Sequence, residues 1–145
     1  MNTRFDLKQT EPTAYKAMLA FDAYAESIEI STKHKDLIKI RTSQVNGCSY
    51  CIDMHTKEAR EHGESEQRIY ALTEWRQTPF FSEKERAVLA LTEEITSINK
   101  RVSDATYDNA AKNLGEKYVA QVLMAVIVMN AWNRVGVALN MQPSL

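Results

Sequence analysis

Cysteine, proline and glycine are all scarce in this chain of 145 residues: two, three and four respectively. Two cysteines cannot build the multi-bridge framework of a small secreted domain. So few glycines and prolines leave few breaks, and no linker is long enough to separate two domains. No internal repeat or low-complexity tract occurs, so residues 1–145 are expected to form a single domain. Charge of one sign is not in excess either. Eighteen Lys and Arg against nineteen Asp and Glu give a net charge of −1, without the concentrated basic face of a nucleic-acid binder. The longest apolar run, Val122 to Met129, has eight residues, against the ~20 of a membrane span. The opening segment, Met1 to Lys8, is polar and mixed in charge, with no apolar stretch of a secretory leader. The expectation is a cytoplasmic protein without membrane or nucleic-acid partners.

What is present is ordinary globular composition, 44% apolar and 26% charged, arranged with a period of 3.6 rather than 2. This predicts an all-α fold, a compact bundle of six to seven helices. Pro12 suits the first turn of a helix whose stripe is Ala14, Ala17, Met18, Phe21, Ala25 and Ile28. Ser31 or Thr32 can cap a second helix, stopped by Asn46-Gly47. A third runs from about Cys48 to Gly63, and a short one follows Ser65. Ser82-Glu83-Lys84-Glu85 has the spacing of a capping box, and Ser103 can cap the next helix. The last helix, about Glu116 to Asn140, is apolar nearly all round. Such a helix is either central or lies at a subunit interface, so an oligomer is expected.

The chemistry concentrates in Cys48-Ser49-Tyr50-Cys51-Ile52-Asp53-Met54-His55. On a helix, positions 48, 51 and 55 share one face. A helix start favours an anion, hence a thiolate, and a nearby imidazole can take the thiol proton. Across two consecutive turns a disulfide is feasible if the first turn is loose. If the second and third helices form a hairpin at Gly47, Asp36 stands 11 residues before it and His55 8 after. That offset is about 4.5 Å, which a carboxylate spans directly or through one water. By itself the pair is compatible with redox chemistry, with metal binding, or with packing. For metal, ligands are short: His62 lies 14 residues beyond Cys48, about 21 Å along a helix, and His34 is on another helix. Neither a metal nor a cofactor is expected, and both histidines read as solvated.

The stretch from Asp36 to Arg60, with its Cys-x-x-Cys-x-x-x-His core and the words Arg41-Thr42-Ser43-Gln44-Val45-Asn46-Gly47-Cys48, resembles the alkylhydroperoxidase D-like branch of the carboxymuconolactone decarboxylase family. Phe81 to Ala87 and Asn130 to Arg134 resemble later segments of that family, so the likeness runs from about residue 12 to 140. It implies an all-α homotrimer or homohexamer that reduces alkyl hydroperoxides. Cys51 would attack the peroxide and Cys48 would resolve the sulfenic acid to a disulfide. His55 and Asp36 would relay the protons, and a thiol or dithiol reductant would close the cycle. The family's acidic residue twelve before the first cysteine is usually glutamate; here it is Asp36, one methylene shorter. Tyr50 stands where some members carry histidine. The rival enzyme reading is a general thiol–disulfide oxidoreductase, and the rival outside enzymes is a metal-binding or oligomeric interaction protein. Glu58, Glu61 and Glu64 read as exposed charges, Trp75 and Trp132 as packing residues, and Asn130, Asn133 and Arg134 as structural polar groups.

Overall fold

The computed structural model describes residues 2–144. Among these there are eight α-helices and no strand: α1 (Leu7–Thr10), α2 (Pro12–Ser27), α3 (Thr32–Asn46), α4 (Ser49–Glu61), α5 (Glu66–Ala71), α6 (Glu83–Thr96), α7 (Asp104–Leu114) and α8 (Glu116–Ala138). Two short 3₁₀ segments, Leu72–Gln77 and Ile98–Lys100, complete the order. The all-α expectation holds, with α1 added at the start.

The helix boundaries follow local chemistry. The hydroxyls of Ser31, Ser65, Ser82 and Ser103 each accept from a backbone N–H in the first turn that follows, contacts worth about 1 kcal/mol each. Ser82 and Glu85 form the full reciprocal capping box. At the other end of α3, Gly47 is left-handed at φ 67°. Its N–H donates to the Gln44 carbonyl at 3.2 Å, and the N–H of Cys48 to the Ser43 carbonyl at 3.0 Å. This is a Schellman motif, and it delivers Cys48 to the start of α4.

Helix α3 is the central beam. Leu37 and Ile40 enter one apolar cluster with Ala59, Ile69, Leu72, Trp75, Phe81 and Leu89. Ile38 enters a second, with Val88, Leu91, Ala110, Val119, Val122 and Val126. The first binds α3 to α4, α5 and α6; the second binds it to α6, α7 and α8. Helix α8 is packed by α2, α3, α4, α6 and α7. It buries Val122, Val126, Val128 and Met129 while Leu123 and Ile127 stay exposed. By length and composition alone α8 passes for a membrane span, a test that the core helix of a soluble protein also passes, and here five other helices pack against it. The stripe expected on α2 is a weaker one: among its residues only Ala25 is buried. The helix lies on α8 and leaves a cavity beneath.

Candidate active site

Cys48 and Cys51 are joined as a disulfide, with Cα atoms 5.3 Å apart. Cys48 is the N-cap of α4, and its sulfur accepts from the N–H of Cys51 at 3.4 Å. Both are buried, at 2% and 4% exposure. They differ in outlook: Cys51 lines a cavity of about 810 Å³, whereas Cys48 does not. Gly136 of α8, which also lines the cavity, packs against both sulfurs. A Cβ there would lie 2.8 Å from the Cys48 sulfur and 3.3 Å from that of Cys51.

His55 is one turn beyond Cys51, 5% exposed, and lines the same cavity. Its Nδ1 is 2.8 Å from Glu58 Oε2. Burial holds the imidazole below its usual pKa, and Glu58 opposes that shift without cancelling it. The ring is therefore neutral at pH 7. A carboxylate only accepts, so the proton sits on Nδ1 and Nε2 is left as a base. Glu58 is steadied in turn by Lys39 at 3.9 Å, which is ion-paired to Glu26. Burial would depress the Lys39 ammonium, but Glu26 and Glu58 together hold it above its usual value.

Asp36 does not pair with His55. The carboxylate is 3% exposed and accepts from Nδ1 of His62 at 2.9 and 3.1 Å. His62 follows the last residue of α4, 15 residues beyond Gly47, so Asp36 on α3 stands level with the far end of α4 rather than with His55. Burial raises the Asp36 pKa, and the bond to His62 partly offsets it. His62 also lines the cavity. His34 is half-buried, its Nδ1 2.6 Å from the Tyr118 hydroxyl, so neither histidine is simply solvated. Among the described residues no group of three His, Cys, Asp or Glu side chains is placed to hold a metal ion.

Other readings divide similarly. Glu58 and Glu64 are paired rather than free, Glu64 with Arg68 at 2.8 Å, while Glu61 is exposed. Asn130 and Asn133 are structural, as expected. Asn46 donates to both at 3.0 Å, Asn133 donates to Ser43 Oγ at 3.0 Å, and Arg134 donates to Asn130. This ties the end of α3 to α8 beside the cysteines. Trp75 is core. Trp132 instead lines the cavity, edge-on to Tyr15 and donating to Asp22 at 3.2 Å.

Sequence reasoning missed Glu58, Lys39, Glu26 and Gly136. Two signals were available. Glu58 is three residues past His55, one helical turn, and Gly136 is an isolated glycine inside an apolar helix, the mark of a close approach.

The fold and site define a small helical protein with a buried Cys-x-x-Cys pair whose second cysteine opens onto a cavity lined by charged and apolar side chains. The chain belongs to the carboxymuconolactone decarboxylase family, whose model matches residues 12–94, and within it to the alkylhydroperoxidase D-like branch. It is 39% identical over 140 residues to the uncharacterized protein YdfG of Bacillus subtilis, covering 96% of this chain and 95% of that one. A solved Agrobacterium tumefaciens protein of unknown function, named as a candidate antioxidant defence protein AhpD, superposes with a TM-score of 0.97. The identity is 32%, and 99% of both chains is covered. The debrominase Bmp8 shares the fold at a TM-score of 0.85 and 20% identity, over 94% of this chain and 74% of that one.

Proposed function

We propose that the protein is a cysteine-based antioxidant enzyme that reduces alkyl hydroperoxides through a Cys48/Cys51 dithiol–disulfide cycle. One observation carries this reading: of the two sulfurs at the start of α4, only Cys51 faces the cavity, beside a neutral imidazole whose tautomer is set by Glu58.

In the reduced protein His55 Nε2 takes the Cys51 proton, and the helix start favours the resulting thiolate. The thiolate attacks the terminal peroxide oxygen. An S–O bond forms, the O–O bond breaks, and the alkoxide leaves as an alcohol with the proton held by His55. The Cys48 thiol then attacks the Cys51 sulfenic acid. The disulfide forms, the thiol proton joins the departing hydroxyl, and water leaves. Each turnover consumes one hydroperoxide and two protein thiols and yields one alcohol, one water and the disulfide. An external thiol or dithiol supplies the two electrons that restore the pair. In this proposal Glu58 supports His55, while Asp36, bonded to His62, stands outside that relay. Leu123 and Ile127, exposed on α8, support self-association, and the family resemblance implies a homotrimer or homohexamer.

The test adds one equivalent of cumene hydroperoxide to the reduced protein at neutral pH, then alkylates the remaining thiols and measures intact mass. Rapid loss of both thiols, with two hydrogens missing, is the expected result. Two fully alkylated cysteines would remove peroxide as the oxidant and leave disulfide exchange as the activity to assay.

A further inference from the structure

The cavity that Cys51 faces has two unlike walls. One is charged, built by Glu26, Lys39, His55 and Glu58 from α2, α3 and α4. The other is apolar, and part of it comes from the first residues of the chain. Phe5 and Leu7 line it together with Val135 and Leu139 near the end of α8. These first residues lie outside the segment that matches the family model, which starts at residue 12.

The strap formed by residues 2–10 is tethered without being buried. The Arg4 N–H donates to the Leu139 carbonyl and its guanidinium to the Ala138 carbonyl, both at 2.9 Å; Asn140 donates to the Asn2 carbonyl at 3.2 Å. Carbonyls at a helix C-terminus have no partner within the helix, and that end attracts a cation, so Arg4 suits the place. Asp6 caps α1 by accepting from Lys8 N–H at 2.8 Å, and Pro12 turns the chain into α2. None of the residues of α1 is buried, and Phe5 is 48% exposed. The strap therefore adds little to the core. What it presents to the cavity that Cys51 lines is the apolar pair Phe5 and Leu7, half in water, set among Thr3, Asp6 and Lys8.

We propose that this strap is a specificity-determining element: Phe5 and Leu7 hold the hydrocarbon body of an organic hydroperoxide while its O–OH group meets Cys51 at the charged wall. The inference rests on the peroxidase reading above. An organic hydroperoxide uses both walls, and hydrogen peroxide, which has no hydrocarbon, uses only one. The strap thus sets the preference between the two and leaves the chemistry at Cys51 alone.

The experiment measures rate constants for oxidation of the reduced full-length protein by cumene hydroperoxide and by hydrogen peroxide. It compares the parent chain with the Phe5→Ser/Leu7→Ser double variant. The expected result is a fall of tenfold or more for cumene hydroperoxide, with hydrogen peroxide unchanged within twofold. An unchanged ratio of the two constants would overturn the proposal. If the double variant does not fold, Arg4→Ala, which removes the guanidinium bond to Ala138 and keeps both apolar side chains, is read by the same ratio. If neither peroxide oxidises the parent chain, the peroxidase reading fails. The strap is then judged by alkylation of Cys51 with N-phenylmaleimide against iodoacetamide. A preference for the phenyl reagent that the double variant loses supports the strap, and an equal preference in both proteins rejects it.

Discussion

The Cα of Gly136 is the point on α8 that lies against the sulfur of Cys48: a methyl group there would stand 2.8 Å from it. That contact sets the sign of a substitution that would otherwise stabilise. In an open helix, glycine to alanine gains up to about 1 kcal/mol. Here the added carbon must push α8 or the cysteine turn aside, and overpacking of this kind costs about 1–3 kcal/mol. Gly136→Ala is expected to lower stability by about 1 kcal/mol or more in urea denaturation. Equal or greater stability would mean that the two elements separate freely.

Glu58 is expected to act on Cys51 through His55. Replacing it with glutamine removes the charge that favours the imidazolium, so the His55 pKa falls further and the base weakens. For Glu58→Gln, the rate of Cys51 alkylation by iodoacetamide should drop about tenfold near pH 7. The inflection of its pH profile should also move to lower pH. A profile that keeps its midpoint would detach Glu58 from the thiol.

Cys48→Ser separates the two proposed sulfur roles. With no second thiol to close the disulfide, peroxide treatment should leave a sulfenic acid at Cys51 that dimedone captures. An adduct on no residue, or continued multiple turnover, would reverse the assignment.

His62→Ala tests the partner of Asp36. The buried carboxylate would lose the donor that holds it, a cost of about 1 kcal/mol, at the low end for a charged group because the imidazole is half in water. The alkylation profile set by His55 should stay where it is. A shifted profile would show that Asp36 and His62 belong to the same relay as His55.

The histidines also set a direction with pH. His34 and His55 are both held below their usual pKa by burial, so the unfolded chain takes up protons first as the pH falls. Their contribution to stability is complete above about pH 6.5, the ordinary histidine pKa, and is lost as the pH drops toward the folded values. Asp36 runs the other way, since its raised pKa makes the folded state gain a proton first at acid pH. Urea midpoints measured between pH 7 and 5.5 are therefore expected to fall with pH. A His55→Gln variant should show a shallower fall.

The caps at Ser31, Gly47, Ser82 and Ser103 are legible in the sequence because each is a contract between neighbours a few residues apart. The Cys48, Cys51 and His55 face is legible for the same reason: helical spacing alone brings it together. The partner of Asp36 is not. It depends on where α3 and α4 cross: counting from Gly47 puts His55 within about 4.5 Å of level with it, whereas the fold brings up His62. Helix α1 is four residues long, too short for any 3.6-residue pattern to announce it. Gly136 is visible as an oddity within α8, but nothing in the chain says which sulfur it makes room for.

Cys48 belongs to two helices at once. Its N–H closes the Schellman motif of α3, its carbonyl accepts the first bond of α4 from Ile52, and its sulfur caps that helix. A residue clamped in this way has almost no backbone freedom left to lose. In the proposed cycle, making or breaking a bond at its sulfur asks only for a side-chain rotation, and each oxidation and reduction starts from a scaffold already in place.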